Sequence, residues 1–367
     1  MSRPRGIDGG RRLRLGVLFG GRSPEHEVSV MSARSILTES DSRRFEAVPL
    51  GITRGGSWLT SEATRERLAR GEGYSSLGEE AEPGLLGSAE ALAELASVDV
   101  VFPIVHGETG EDGSLQGLLE LAELPYVGSG VAASARGMDK ALMRQSFGAA
   151  GLPQPPYLVL AGDEGPPQAA RERVAREIGF PCFVKPASGG SSVGVSRVAA
   201  AAGLAAAIEV AARYDRSVLV ERALRGREVE CAVLGNRKPE ASPLGEVRVP
   251  GGFYDYRAKY EDDSAELVVP AAVSEQATGL VQRCAIEAFR ALGCAGLARV
   301  DFFVDEESSD RPAVYVLELN TLPGFTPISM YPRLWLEAGL SYAELITRLV
   351  ELAIERDLGT REGAPGA

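Results

Sequence analysis

The chain has 367 residues, of which 44% are hydrophobic and 25% are charged. This composition is typical of globular proteins and excludes a mostly disordered or fibrous one, and at roughly 100–200 residues per domain the length predicts two or three domains. The net charge of −12, from 39 Lys and Arg against 51 Asp and Glu, disfavours general binding to nucleic acid. No apolar run approaches the ~20 residues that span a bilayer. We therefore expect no membrane contact, a cytoplasmic location and reduced cysteines.

The first third of the sequence predicts an open parallel α/β sheet. Buried strands are expected at residues 14–21, Phe45–Ile52 and Val98–Val105, with a helix over Val28–Leu37 that Ser23 would cap. Ligands bind beyond the carboxyl ends of such strands, so the glycine turn after the first strand, with Glu25 in it, is a candidate site. The alternative is that Glu25 only complements the helix dipole.

The third strand runs into the sequence HGETGEDG, which begins at His106, one of only two histidines in the chain. A lone histidine is more often structural than functional. The acids and glycines that follow it at the end of a strand favour a site.

The middle of the chain predicts a small α+β unit with a glycine loop, Lys185–Gly194, between strands at Pro181–Pro186 and Val193–Val198. Backbone amides of such a loop can point at an anion. The lysine precedes the glycines and a strand follows them, so this is not a Walker A loop. It predicts a hairpin lid over phosphates, and the alternative is a plain hairpin turn.

The last third contains the most informative pattern. Side chains alternate between the two faces of a strand, so Arg299 and Asp301 share a face, as do Glu318 and Asn320. If the two strands pair, three oxygen ligands and a guanidinium converge, and Mg²⁺ prefers such oxygens. The alternative, a surface ion pair, is disfavoured because these polar residues lie within apolar strands.

A long glycine-hinged segment, residues 245–264, contains four aromatic residues. Loops of this length in compact domains are usually functional or disordered, and the aromatic rings argue against disorder. We expect a closing lid, with Lys259 as a cation for phosphate. Helices are expected at 276–292 and within 334–356, and a disordered tail from Thr360.

Together these segments resemble the D-alanine–D-alanine ligases of the ATP-grasp superfamily over about residues 15–350. The resemblance rests on several spaced motifs: GGRSPEHEVS, HGETGEDG, SARGMDK, VKPASGGSSVG, REVECAVLG, FYDYRAKY, RVDFF and LELNTLPGFTPISMYP. It implies a three-domain ATP-grasp fold, with an N-terminal α/β domain at 1–128 and two α+β domains, at 129–222 and 223–367, that clamp ATP.

The resemblance also implies an activity. ATP would phosphorylate the carboxylate of one D-alanine, and the amine of a second would attack the acyl phosphate, which makes D-alanyl-D-alanine for peptidoglycan precursors. A homodimer is expected from the relatives. Three alternatives remain: a ligase that adds D-lactate or D-serine, an ATP-binding regulatory module without ligase chemistry, and an ATP-grasp ligase for another carboxylate.

Site residues follow from motif position. The phosphate, adenine and ribose contacts of ATP are expected at Lys140, Lys185, Glu221, Glu228 and Lys259. The metal ligands, for Mg²⁺ or Mn²⁺ with two ions per site, are expected at Asp301, Glu318 and Asn320. Orientation of the first D-alanine and the lid latch are assigned to Glu25, Ser191, Tyr260 and His106. The oxyanion and second-substrate contacts are assigned to Arg299, Gly324, Ser329 and Met330.

Overall fold

The computed structural model describes residues 11–70, 77–78, 88–161, 168–190, 193–248 and 266–362. Within these ranges the named strands form three sheets, of three, four and five strands. Each sheet falls within one of the three predicted domain ranges, and the boundaries themselves stay a prediction.

The N-terminal sheet is parallel, as predicted, with the order β2-β1-β3. Its elements are β1 (Leu13–Gly20), α1 (His26–Glu39), β2 (Phe45–Ile52), α2 (Ser61–Arg70), α3 (Ala89–Ala96), β3 (Val100–Ile104) and α4 (Ser114–Leu121). The prediction that Ser23 caps α1 is wrong. The amide of His26 donates to the carbonyl of Ser23, and this turn delays the helix so that Glu25 becomes the N-cap.

Two helices, α5 (Val131–Met138) and α6 (Lys140–Ala149), lie in the chain between the N-terminal and the middle sheet. They are separated at Asp139, whose backbone is extended and whose carboxylate accepts hydrogen bonds from the amides of Ala141 and Leu142. An aspartate N-cap of this kind starts a new helix and fixes its direction. Lys140 therefore occupies the first turn of α6.

The middle sheet is antiparallel, with the order β4-β7-β5-β6. Its elements are β4 (Tyr157–Ala161), α7 (Gln168–Glu177), β5 (Cys182–Pro186), β6 (Ser196–Val198), α8 (Leu204–Ala211) and β7 (Ser217–Arg222). The predicted strand–glycine loop–strand hairpin is confirmed, because β5 pairs with β6. Its second strand is shorter than expected.

The C-terminal sheet is also antiparallel, with the order β10-β9-β8-β11-β12. Its elements are β8 (Arg227–Gly235), β9 (Glu240–Arg248), β10 (Glu266–Val268), α9 (Glu275–Leu292), β11 (Gly296–Asp305), β12 (Ala313–Asn320), α10 (Met330–Glu337) and α11 (Tyr342–Glu362). Two expectations are corrected here. Residues 245–248 belong to β9 rather than to a lid loop, and α11 continues through Thr360 to Glu362; residues 249–265 lie outside the described ranges.

Packing joins the C-terminal sheet to helices from elsewhere in the chain. One buried cluster includes Phe147 of α6, Phe289 of α9 and Phe302 of β11. Another includes Phe102 of β3 and Tyr331 of α10. The site residues at the ends of these strands thus rest on large apolar contacts, whose burial stabilises the fold by roughly 25 cal/mol per Å². Among the described helices, none has the length and apolar character required to cross a bilayer.

Candidate active site

The turn after β1 is built so that α1 can begin at the carboxyl edge of the sheet. Gly20 has a φ of +95°, and a Cβ there would lie 2.1 Å from the carbonyl oxygen of Ile52, so only glycine fits. The Ser29 hydroxyl accepts a hydrogen bond from the amide of Gly20 at 2.7 Å and donates to the carbonyl of Ile104 at 2.5 Å. This buried serine ties α1 to β1 and β3, which fixes where Glu25 lies.

Three titratable groups surround Gly107, just beyond β3. The Nδ1 atom of buried His106 lies 3.2 Å from the carbonyl oxygen of Leu322, and its Nε2 atom has no hydrogen-bond partner among the described residues. The Glu111 carboxylate accepts from the amide of Gly107 at 2.5 Å. A Cβ on Gly107 would lie 3.6 Å from Oε2 of Glu25. The HGETGEDG segment therefore forms one compact site with the N-cap of α1.

Burial and neighbouring charges shift the pKa values of His106 and Glu111. Burial lowers the pKa of His106, against the opposing effect of the Glu25 charge. Burial and the charge of Glu25 raise the pKa of Glu111 to about 8, although the amide of Gly107, Arg299 and Lys140 act against the rise. Shifted pKa values in a cleft are typical of functional sites.

The glycine loop is held at its base by two side chains. The Lys140 ammonium donates to the carbonyl of Gly189 at 2.7 Å, and the Asp215 carboxylate accepts from the amide of Ser188 at 2.7 Å. Lys140 Nζ also lies 4.0 Å from Oε2 of Glu318. Lys140 thus connects the glycine loop with the strand that carries the predicted metal ligands.

Lys185 and Glu221 lie on the neighbouring strands β5 and β7 and contact each other directly, with 2.6 Å between Nζ and Oε1. The second carboxylate oxygen of Glu221 lies 2.6 Å from a guanidinium nitrogen of Arg144, which is 1% exposed. Burial raises the pKa of Glu221, but Lys185 and Arg144 outweigh it and hold the pKa below its ordinary value. Glu221 is therefore an ionised acceptor at neutral pH.

The strands that carry Arg299 and Glu318 do pair, which is the condition for their side chains to converge. In the antiparallel register of β11 and β12, Arg299 faces Asn320 and Asp301 faces Glu318. The guanidinium of Arg299 donates two hydrogen bonds of 2.7 Å to the carboxylate of Asp301. Directly opposed side chains lie about 4.5–5.5 Å apart at Cβ, so all four groups share one face of the sheet.

The donor set fits a hard divalent cation. Asp301, Glu318 and Asn320 offer two carboxylates and an amide oxygen on adjacent strands, the chemistry that Mg²⁺ or Mn²⁺ prefers. Over the described ranges no three His, Cys, Asp or Glu side chains are grouped to hold a metal ion. The third donor of the proposed set is the amide of Asn320, and one of the set's two carboxylates, that of Asp301, also accepts hydrogen bonds from Arg299.

The loop between β12 and α10 contains the remaining predicted contacts. The hydroxyls of Thr326 and Ser329 are 2.7 Å apart, and a Cβ on Gly324 would lie 3.2 Å from the Ser329 hydroxyl. The side chain of Met330 is buried and packs against Gly245, so closely that a Cβ on Gly245 would clash with the Met330 sulfur. Any contact of Met330 with a substrate would thus involve its backbone.

A cavity of about 700 Å³ lies between the turn after β1 and the glycine loop. Its lining includes Glu25, Gly107, Asp139, Ser188 and Gly190. Glu228, on β8, lies opposite Phe303 of β11 and is half-buried. The predicted residues Ser191, Lys259 and Tyr260 lie outside the described residues.

The sequence interpretation missed two side chains that contact the predicted ones, Arg144 and Glu230, and it gave no role to Glu111 within HGETGEDG. Arg144 follows Lys140 by four positions on α6, so the helical repeat would have placed both on one face. Glu230 follows Glu228 by two positions on β8, and strand alternation would have placed it beside the Arg299 row.

Comparisons with known proteins identify the family of the chain. The family description "D-ala D-ala ligase N-terminus" matches residues 14–129, and "D-ala D-ala ligase C-terminus" matches residues 147–351. The chain is 48% identical to a D-alanine–D-alanine ligase of Mycobacterium ulcerans, covering 96% of this chain and 98% of that protein. It is 44% identical to one of Geobacillus thermodenitrificans, covering 94% and 96%.

Solved structures give the same result. The D-alanine–D-alanine ligase of Coxiella burnetii superposes with a TM-score of 0.78 at 35% identity, covering 96% of each chain. The VanG D-Ala:D-Ser ligase of Enterococcus faecalis has a TM-score of 0.78 at 32% identity, covering 94% of this chain and all of that one. The fold is that of an ATP-grasp ligase. The chain belongs to the D-alanine–D-alanine ligase family.

Proposed function

We propose that this chain uses ATP to join two D-alanines into D-alanyl-D-alanine and forms ADP, as the names of its relatives indicate. The observation that carries the proposal is the row of Arg299, Asp301, Glu318 and Asn320 on one sheet face. Phosphoryl transfer between ATP and a carboxylate requires charge neutralisation and positioning more than a protein nucleophile, and this row supplies both. The same reasoning favours a ligase that transfers phosphate from ATP over a regulatory module that only binds ATP.

Each proposed role corresponds to a described environment. Glu221, which is ionised and paired with Arg144 and Lys185, would accept a hydrogen bond from the adenine amino group. Lys185 and Lys140 would contact phosphate oxygens. Glu228, half-buried on β8, would contact the ribose. Lys259, which lies outside the described residues, is proposed as a further phosphate contact.

The acyl-transfer end of the site is the face of the sheet that carries Arg299. Attack by the second amine turns the acyl carbonyl into an oxyanion, and the guanidinium of Arg299 on a rigid strand would stabilise it, with help from the backbone at Gly324 and Met330. Phosphate then leaves. Glu25, His106, Ser191, Tyr260 and Ser329 would hold the two substrates.

A divalent cation at Asp301, Glu318 and Asn320 would neutralise phosphate charge during transfer. We propose Mg²⁺ or Mn²⁺, with two ions per site, since the ligand oxygens suit both metals. The carboxylates and the amide of these three residues would orient the ions toward the phosphates.

The test is product identification. Purified protein is incubated with ATP, Mg²⁺ and equal concentrations of D-alanine, D-serine and D-lactate across pH 6 to 9, and the products are separated by mass spectrometry. We expect D-alanyl-D-alanine to dominate throughout, with L-alanine as an inactive control. A dominant ester or D-alanyl-D-serine product near pH 7 would contradict the choice of second substrate, and no release of phosphate would contradict ligase activity.

We also propose a homodimer in the cytoplasm. The location is supported by four free thiols, of Cys182, Cys231, Cys284 and Cys294, which suit a reducing compartment, and by the use of ATP. The dimer is expected from the relatives alone. Light scattering at several protein concentrations would measure the mass, and a value of one chain would contradict it.

A further inference from the structure

Arg299 has a second acidic partner in addition to Asp301. Glu230 lies on β8, the strand on the other side of β11, and faces Asp301 directly in the antiparallel register. Its Oε2 atom lies 3.1 Å from Nε of Arg299, and its side chain is 5% exposed. The guanidinium is therefore held by one carboxylate from its own strand and one from the neighbouring strand.

The two carboxylates differ in what else they contact. Asp301 faces Glu318 across β12 and is a proposed metal ligand, whereas Glu230 faces Gly245 on the side away from Glu318. When Asp301 directs oxygens to a cation, the guanidinium of Arg299, which donates to both of these oxygens, competes with that cation for the orientation and charge of the carboxylate. Glu230 is not one of the proposed metal ligands, so it can hold Arg299 while Asp301 turns to the ion.

We propose that Glu230 is a positioning residue that keeps the Arg299 guanidinium in place for the oxyanion and leaves Asp301 free for the metal. The inference rests on the proposed function, because it assumes that Arg299 acts on the reacting atoms. Glu230 itself touches neither substrate nor the reacting atoms. It acts through Arg299, so its effect depends on Arg299 being present.

Glu230→Gln tests this with little change of shape, since it removes only the charge that attracts the guanidinium, whose Nε hydrogen is donated to Asp301. We expect kcat to fall about 10-fold while the KM for ATP changes less than about 2-fold, because a misplaced oxyanion donor weakens the transition state and not nucleotide binding. Glu351→Gln is the matched control. It also removes a carboxylate from an arginine pair, with Arg44 at 2.9 Å, but far from the site, and it should leave kcat unchanged.

A double-mutant cycle separates a positioning role from a structural one. Arg299→Ala should lower kcat, and adding Glu230→Gln should lower it no further, because residues that act through one another are not additive. If Glu230→Gln lowered kcat by the same factor with and without Arg299, or left it unchanged in the wild-type background, the proposal would be wrong. If Arg299→Ala left kcat unchanged, the role of Arg299 in the proposed function would fail first.

Metal binding gives a readout independent of turnover. Mn²⁺ is titrated by electron paramagnetic resonance in the presence of a non-hydrolysable ATP analogue. Without the Glu230 charge, Arg299 competes harder for Asp301, so we expect weaker Mn²⁺ binding in Glu230→Gln and a much smaller effect in the Arg299→Ala background. Equal weakening in both backgrounds would contradict the proposal. If Glu230→Gln did not fold, as judged by its melting curve, Glu230→Asp would enter the same cycle.

Discussion

The ammonium of Lys185 lies 2.6 Å from the carboxylate of Glu221, so two residues proposed to contact opposite ends of ATP are ion-paired with each other. Arg144, on α6, completes the arrangement by pairing with the other carboxylate oxygen of Glu221 and donating to the carbonyl of Val316 at 2.7 Å. If Lys185 turned to a phosphate, as proposed, Arg144 would still neutralise Glu221. The carboxylate would then stay charged and in place for the proposed contact with the base.

Replacing Arg144 by methionine should destabilise the protein and weaken ATP binding. The change leaves Glu221 buried with one cation fewer, and breaking a buried pair by removing one partner costs about 3–5 kcal/mol. Urea unfolding measures the stability, and a nucleotide titration measures the affinity. Arg144→Lys is the control that keeps the charge. A single ammonium cannot reproduce the contacts of the guanidinium with both Glu221 and Val316, so this variant should recover only part of the lost stability and affinity. Wild-type stability in Arg144→Met would contradict the importance of this contact.

The sequence predicted the parts of the site that depend on local periodicity. Strand alternation placed Arg299 with Asp301 and Glu318 with Asn320, and the β11–β12 register brought the two pairs together as expected. The helical repeat places Arg144 on the same face of α6 as Lys140, but it cannot give the partners of Arg144, because Glu221 and Val316 lie 77 and 172 positions away. The separate start of α6 cannot be predicted from an apolar repeat, because it depends on one side chain, the Asp139 carboxylate that caps the helix.

Glu318→Gln should impair turnover and leave the fold intact. It keeps the shape of the side chain but removes a negative oxygen from the proposed metal site, and losing one electrostatic stabiliser costs about 10²-fold or more in kcat. Turnover is measured against Mg²⁺ concentration, with a melting curve as the control for folding. Near-wild-type rates at limiting Mg²⁺ would reject the metal assignment.

Arg299→Ala should lower kcat far more than it weakens ATP binding. The oxyanion exists only along the reaction path, so its donor contributes to the transition state and not to ground-state binding. Steady-state kinetics with saturating D-alanine separate the two constants. A raised KM for ATP with an unchanged kcat would make Arg299 a nucleotide contact instead.

His106 should take up a proton when the first D-alanine binds. A carbonyl oxygen only accepts hydrogen bonds, so the contact with Leu322 assigns the Nδ1 proton, and a neutral ring then leaves Nε2 as an acceptor. Burial keeps the pKa of His106 below its ordinary value, although Glu25 opposes this, so the ring is neutral at pH 7 in the free protein. A substrate carboxylate needs a donor, and His106 supplies one only as the imidazolium.

Proton uptake by His106 makes the affinity for the first D-alanine depend on pH. Because the bound form holds the extra proton, affinity for the first D-alanine should fall as pH rises above the pKa of free His106. Calorimetry at pH 7 in two buffers of different ionisation enthalpy measures the uptake, which should approach one proton in the wild type and vanish in His106→Gln. Glu111 also titrates nearby, with a pKa of about 8, so Glu111→Gln is the matched control and should retain the uptake. Binding without proton uptake in the wild type would mean that Nε2 accepts from the substrate ammonium, and the carboxylate contact assigned to His106 would be wrong.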